Sequence, residues 1–265
     1  MSKYKLVWDQ TGEHIYETGT KMGVIYPQVG GKYPKGTVWN GLTAVTESPS
    51  GAEPTALYAD DIKYLNILST EDYKATVEAY YYPDAFKECN GERTIAKGVN
   101  IGQQKRKPFG LSWRTTLGND VDDADYGYKI HILYGGTAAP SQKSHKSMNN
   151  NVDAETMSWE ISTVPVSVNG FEPTASIEID STTVDPSKLE KLEEIIYGKA
   201  DELLVEQPSD WTNNYKNYFT KSSNGELVAV TGSGSAPAFT KDKYYKAGVD
   251  ARLPLPDEIA AIMSA

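Results

Sequence analysis

KPFGLSWRTTLGNDVDDADYGYKIHILY, residues Lys107 to Tyr134, reads as a long β-hairpin, and this reading sets the fold class. On the first arm Phe109, Leu111, Trp113, Thr115 and Leu117 alternate with Gly110, Ser112, Arg114 and Thr116. On the second, Tyr128, Ile130, Ile132 and Tyr134 alternate with Lys129, His131 and Leu133. Successive side chains of a strand point to opposite faces, so the alternation predicts one face committed to packing and places His131 on the other. Between the arms lie Gly118, Asn119 and Gly127, turn-forming residues that also gather Asp120, Asp122, Asp123 and Asp125 at one exposed tip. The D-x-D-x-D-G order and closing glutamate of a calcium loop are absent, so these four carboxylates are expected to be a solvated tip or an electrostatic surface inside an oligomer.

Outward from the hairpin, Tyr4 to Trp8 is a short strand candidate, followed by a passage to about Lys35 broken by Gly12, Gly19, Gly23, Pro27, Gly30, Gly31 and Pro34. A loop that long is usually functional and in an assembly often reaches a neighbour. Strand-like runs follow at Thr37 to Glu47, Ala59 to Leu68 and Tyr73 to Tyr82; Pro83 stops the last, and Asp84 to Glu88 suits one helical turn. After a polar loop from Ser141 to Asn151, further strands are expected at Thr156 to Val168 and Ala175 to Asp180, which makes eight to ten in all and favours a sandwich or barrel. One internal helix is expected: Asp185 can cap it, Pro186 sits at its first turn, and Leu189, Leu192, Ile195 and Ile196 form a stripe that ends at Gly198. Asp257 to Ala265 suits a second, short helix.

Lys199 to Asp250 changes character. It carries the run Gly232 to Ser235, which reads as a linker, and the aromatics Trp211, Tyr215, Tyr218, Phe219, Phe239, Tyr244 and Tyr245. The chain therefore divides into a main β domain (1–198), an inserted β-rich appendage (199–250) and a closing segment that returns to the main domain (251–265). Six lysines and seven carboxylates give the appendage a charge of −1, which leaves −9 of the chain's −10 elsewhere.

That net charge argues against an outer surface that binds nucleic acid, since phosphate binding is driven by Lys and Arg. No apolar run is long enough to span a bilayer, and the amino terminus has no apolar export stretch. The single Cys89 suits folding in a reducing compartment. His14, His131 and His145 are scattered and have no metal-ligand spacing, and there is no phosphate loop, dinucleotide loop or G-x-S-x-G elbow. No catalytic, metal-binding or cofactor-binding residue is expected, and an enzyme is not the reading these residues support.

Five blocks in sequence, NGLTAVTESPSGAEPTALYADDIKYL (Asn40 to Leu65), TVEAYYYPDAF (Thr76 to Phe86), QQKRKPFGLSWRTTLGNDV (Gln103 to Val121), GYKIHILYGGTAAPS (Gly127 to Ser141) and RLPLPDEI (Arg252 to Ile259), carry a likeness. Through them the chain resembles the major tail protein, the tail-tube subunit, of long non-contractile-tailed phages of Gram-positive bacteria. The resemblance implies two packed β-sheets with a flanking helix, and hexameric rings that stack into a tube through which the genome passes. It also implies assembly in the host cytoplasm into the virion tail, with tape-measure and tail-terminator proteins as partners and double-stranded DNA in transit. Arg252, Leu253, Pro254, Leu255 and Pro256 become candidate assembly residues, and a substantial part of the −9 is expected to face the channel. The interval between Gly198 and Arg252 is longer than the short linker of that family. A second reading is a β-sandwich module that recognises cell-wall glycan through the appendage aromatics.

Overall fold

The computed structural model describes residues 6–145, 147, 154–231 and 236–264. Tyr4, the asparagines 149 to 151 and the run Gly232 to Ser235 lie outside them. The fold is mainly β, with 46% strand and 13% helix. Its largest sheet contains β1 (Tyr16–Pro27), β2 (Thr37–Trp39), β3 (Leu42–Glu47), β4 (Lys74–Ala79), β5 (Phe109–Asn119), β6 (Asp123–Ala138), β7 (Met157–Ser162) and β8 (Ser176–Asp180). The order is β2-β1-β5-β6-β7-β4-β3, with β8 also paired to β6, and every pairing is antiparallel.

This sheet folds over on itself. Four interstrand steps separate β2 from β7, roughly 19 Å on a flat sheet. Yet the rings of Trp39 and Trp159 lie 5.7 Å apart. One corner is β6, which pairs with β5 and β8 along most of its length and hands over to β7 only at Thr137 and Ala138. Gly135 makes that corner: its φ is +60°, and a Cβ there would lie 2.1 Å from the Val164 carbonyl oxygen. No side chain fits where the strand turns from one layer into the other. The opposite corner is Asn40–Gly41, across which the chain leaves β2 on the first layer and enters β3 on the second.

Between the layers lies a core of Ile25, Trp39, Val77, Phe86, Phe109, Leu111, Trp113, Leu133, Trp159 and Ile161. Phe86, on the short helix Asp84–Lys87, is fully buried and packs edge-on against the rings of Tyr82, Phe109 and Trp159. Burying a side chain of this size contributes about 1.5–3 kcal/mol. A second core covers the other face of the first layer: Val24, Tyr26, Ile130, Ile132, Tyr134 and Ile179 meet Leu189, Leu192 and Ile196 of the helix Pro186–Tyr197 and Ile259 of the helix Pro256–Ser264. The Asp185 carboxylate accepts hydrogen bonds from the Ser187 and Lys188 amides and so fixes the start of the first of these helices. Tyr26 pins its far end by donating from its hydroxyl to the Ile196 carbonyl at 2.8 Å.

The central hairpin is present as expected, but the expectation of one packing face is corrected. Leu111 pairs with Leu133 and Trp113 with His131, whereas Ser112 pairs with Ile132 and Arg114 with Ile130. Directly paired residues share a face, so the apolar sets of the two arms lie on opposite faces and both are buried. His131 is accordingly inside, 8% exposed and stacked on Trp113. The passage expected to be a long loop before Lys35 contains β1, whose register shifts between Thr18 and Lys21 and again between Lys21 and Val24. Each irregularity resets which side chains face inward and erases the alternation. Leu6 to Trp8 are not a strand.

Candidate functional site

The acidic tip is a tight turn whose carboxylates do different things. Asn119, itself buried, accepts hydrogen bonds from the Val121 and Asp122 amides. Asp120 reaches back across the fold: its carboxylate accepts from the Gly12 and His14 amides and lies 3.2 Å from the His14 ring. These contacts tie the amino-terminal segment to the hairpin. Asp120 is exposed, and desolvation by its neighbours acts to raise its carboxyl, but the backbone and His14 hydrogen bonds outweigh this and hold it below its usual 3.8. Asp122, Asp123 and Asp125 are exposed.

The residues of the closing segment are consumed by the chain's own core. Leu253 and Pro254 are buried; the Leu253 amide donates to the Tyr33 carbonyl and the Tyr134 hydroxyl to the Pro254 carbonyl, the latter at 2.7 Å. Gly110 on β5 makes room, because a Cβ there would sit 2.4 Å from Leu253 Cδ2. Arg252 forms a two-pronged ion pair with Glu258, Pro256 is buried at the start of the last helix, and Leu255 is half-buried. What remains accessible here is an open cleft lined by Lys32, Tyr33, Pro34, Leu255 and Glu258.

His131 sits where both layers bring carboxylates together. Its Nε2 lies 2.9 Å from Thr115 Oγ1 and 3.2 Å from Glu17, and its Nδ1 faces Glu47 at 3.7 Å and Glu178 at 3.9 Å. Lys129 bridges Glu17 and Glu178 at 3.1 and 2.9 Å. Burial acts to raise the Glu17 carboxyl, but hydrogen bonds from Thr115 and Lys129 prevail and hold it below 4.5. Cys89 is fully enclosed, and burial pushes its thiol up to about 12, which removes it as a nucleophile at neutral pH. Among the described residues no group of three or more His, Cys, Asp or Glu is arranged to hold a metal ion.

The appendage has its own core. Leu204, Trp211, Tyr215, Tyr218, Val230 and Tyr244 pack together beside a four-stranded sheet, and the Trp211 indole donates to the Pro237 carbonyl. The aromatics that a sugar would stack on are therefore mostly turned inward, with Trp211 at 2% and Tyr244 at 4% exposure.

The feature with the largest unmet physical demand overlaps the run Ala59 to Leu68, expected as one strand; the turn at Asp60–Asp61 breaks that run, and the partner strand, Pro54–Ala59, starts earlier. Pro54–Ala59 and Ile62–Leu68 form a hairpin, paired Ala59 to Ile62 at its tip, with Asp60 and Asp61 both at positive φ as a tight two-residue hairpin turn requires. Among the described residues this hairpin joins no other sheet. Apart from the half-buried Ala56, all its strand residues are exposed, including Tyr58, Ile62, Tyr64, Leu65, Ile67 and Leu68 on both faces. A two-stranded ribbon alone is marginal in water, and a contiguous apolar surface marks a contact with another molecule. A second projecting hairpin, Arg93–Ala96 with Val99–Ile101, exposes Ile95, Val99 and Ile101. The signal for both was their flanking turns, Asp60-Asp61 and Lys97-Gly98; the signal for exposure was not in the residues.

A comparison of the chain with protein-family models and with curated proteins returned no match.

Proposed function

We propose that this chain is a structural subunit of a phage tail tube, assembling with copies of itself into stacked hexameric rings around a channel for DNA. The observation that carries the reading is the apolar arm Pro54–Leu68, exposed on both faces and joined to no sheet of its own subunit. A monomer gains nothing from such a ribbon, whereas a subunit that pairs with a neighbour satisfies both its apolar side chains and its free edges. The layered β fold with a flanking helix agrees with the architecture that the resemblance implies. A head-to-tail contact that does not close on itself yields a filament, as a tube requires.

The outer face of the β3-β4-β7 layer suits the channel wall. Val45, Val77 and Trp159 share a register row that points inward, so the neighbouring rows, Thr46 with Thr76 and Glu160, and Ala44 with Glu78 and Ser158, point outward. The hydroxyls and carboxylates of these two rows give passing DNA little to hold, while the exposed Lys74 and Tyr80 bound the same face at its ends. Tape-measure and terminator proteins are the further partners this reading entails.

Sedimentation velocity and negative-stain electron microscopy across a concentration series test it. Rings or tubes of uniform diameter are the expected result. A monomer that persists at the highest concentration defeats the reading.

A further inference from the structure

We infer that the arm Pro54–Leu68 docks on the Arg93–Ile101 hairpin of a second copy of this chain. The inference rests on the self-assembly reading and names the two surfaces that meet.

The two hairpins have opposite charges. From Ser50 to Asp72 the arm and its base carry Glu53, Asp60, Asp61, Glu71 and Asp72 against the single Lys63, net −4. From Arg93 to Lys107 the second hairpin and its return carry Arg93, Lys97, Lys105, Arg106 and Lys107 with no carboxylate, net +5. Glu53, Asp60, Asp61, Glu71 and Asp72 are exposed and form no ion pair among the described residues; the same holds for Lys97 and Lys105. Within the subunit these charges therefore go unused. Arg93, Arg106 and Lys107 are half-buried and already hold Glu88, Asn90 and Ala138 of their own subunit, so the five free carboxylates of the arm face chiefly Lys97 and Lys105; opposite charges on two ribbons set up complementary fields that favour one mutual orientation over random encounter.

The apolar residues fit the same pairing. Tyr64 and Leu68 on the arm are 69% and 67% exposed, and Ile95 on the basic hairpin is 63% exposed. Both hairpins are short antiparallel ribbons with free edges, so one can extend the other by strand addition while their apolar residues interdigitate and the charges pair at the rim. A nucleic acid is excluded as the arm's occupant by the arm's negative charge, and a membrane by the same five carboxylates. No hydrogen bond or ion pair joins the two hairpins within the subunit among the described residues, and both project from it. The contact is heterologous, since each copy offers an acidic arm and a basic hairpin at different places, so it propagates around a ring or along a tube.

The test uses the full chain. Isotopically labelled and unlabelled copies are mixed under assembling conditions and treated with a zero-length carbodiimide, which joins lysine amines to carboxylates in contact. Mixed-isotope cross-linked peptides that join residues 50–72 to residues 93–107 are expected. In parallel, Lys97→Glu with Lys105→Glu should raise the concentration needed for assembly about tenfold or more, while circular dichroism and thermal melting of the monomer stay unchanged. Asp60→Asn with Asp61→Asn, which keeps a residue suited to positive φ, should do the same more weakly. If the wild type assembles but no mixed-isotope pair joins the two hairpins, or both variants assemble like the wild type, the inference falls and self-assembly stands. A wild type that never associates overturns both.

Discussion

The central hairpin β5–β6 and the arm Pro54–Leu68 are built alike and end up in opposite surroundings. Both are antiparallel ribbons with apolar residues along each strand and aspartates in the turn. In the central hairpin both faces are buried, one between the β layers and the other under the helices. In the arm nearly every residue of both faces meets solvent. Local pattern therefore makes a hairpin in either case, and only what packs against it decides whether its apolar side chains stabilise the subunit or wait for a partner. In the proposed assembly the arm is where binding energy is held in reserve; the central hairpin is where folding energy has already been used.

The largest effect that would break this contrast comes from the core. Phe86→Ala should cost about 3–5 kcal/mol of monomer stability in urea denaturation, because its fully buried ring touches four other aromatics and the hole cannot close. Leu65→Asn on the arm should change the same measurement by no more than about 0.5 kcal/mol while weakening assembly. If the arm variant unfolded the monomer comparably, the arm would be part of the subunit's fold and the comparison would collapse.

A smaller effect is expected at the corner that separates the two layers. Gly135→Ala should cost about 2–4 kcal/mol, combining the penalty of a side chain at positive φ with the clash against Val164. A thermal melt indistinguishable from wild type would show that β6 turns its corner by some other means.

The smallest is electrostatic. The Arg252 guanidinium holds the Glu258 carboxyl below its ordinary value of 4.5, against the opposing effect of partial burial. A depressed folded-state pKa contributes stability that is present above the unfolded value and is lost as pH falls through the folded one. Glu258→Gln should therefore be less stable than wild type by under about 1 kcal/mol near neutrality, with the gap closing on acidification below 4.5. A gap that persisted unchanged in acid would mean that the carboxylate's charge is not what the closing segment uses.

Much of the architecture was legible in the residues because it rests on local rules. The helix from Pro186 to Tyr197 follows from its Asp185 cap, its apolar stripe and Gly198; the appendage core follows from its clustered aromatics; the closing helix follows from Pro256 and the apolar residues after it. The candidate site was legible only in part. Asp120, Asp122, Asp123 and Asp125 do share a tip, but Asp120 is occupied in holding the amino-terminal segment, a contact 108 residues away in sequence. The resemblance implies an assembly role for Arg252 to Pro256, while their apolar members lie against Tyr33, Gly110 and Tyr134 of their own subunit. β1 escaped notice because two register shifts hide its alternation.

By itself the sequence determined that this chain is mainly β, where its central hairpin and principal helix lie, that the segment from Lys199 to Asp250 is separate in character, and that two stretches carry opposite charge. Those properties depend on alternation, capping, composition and counting, all of which act over a few residues. Only the tertiary structure decided that the two arms of the central hairpin bury opposite faces, that His131 lies inside, and that the apolar ribbon from Pro54 to Leu68 is left uncovered. Burial is a relation between a segment and whatever packs on it, and that partner is set by strand register and sheet order across more than a hundred residues.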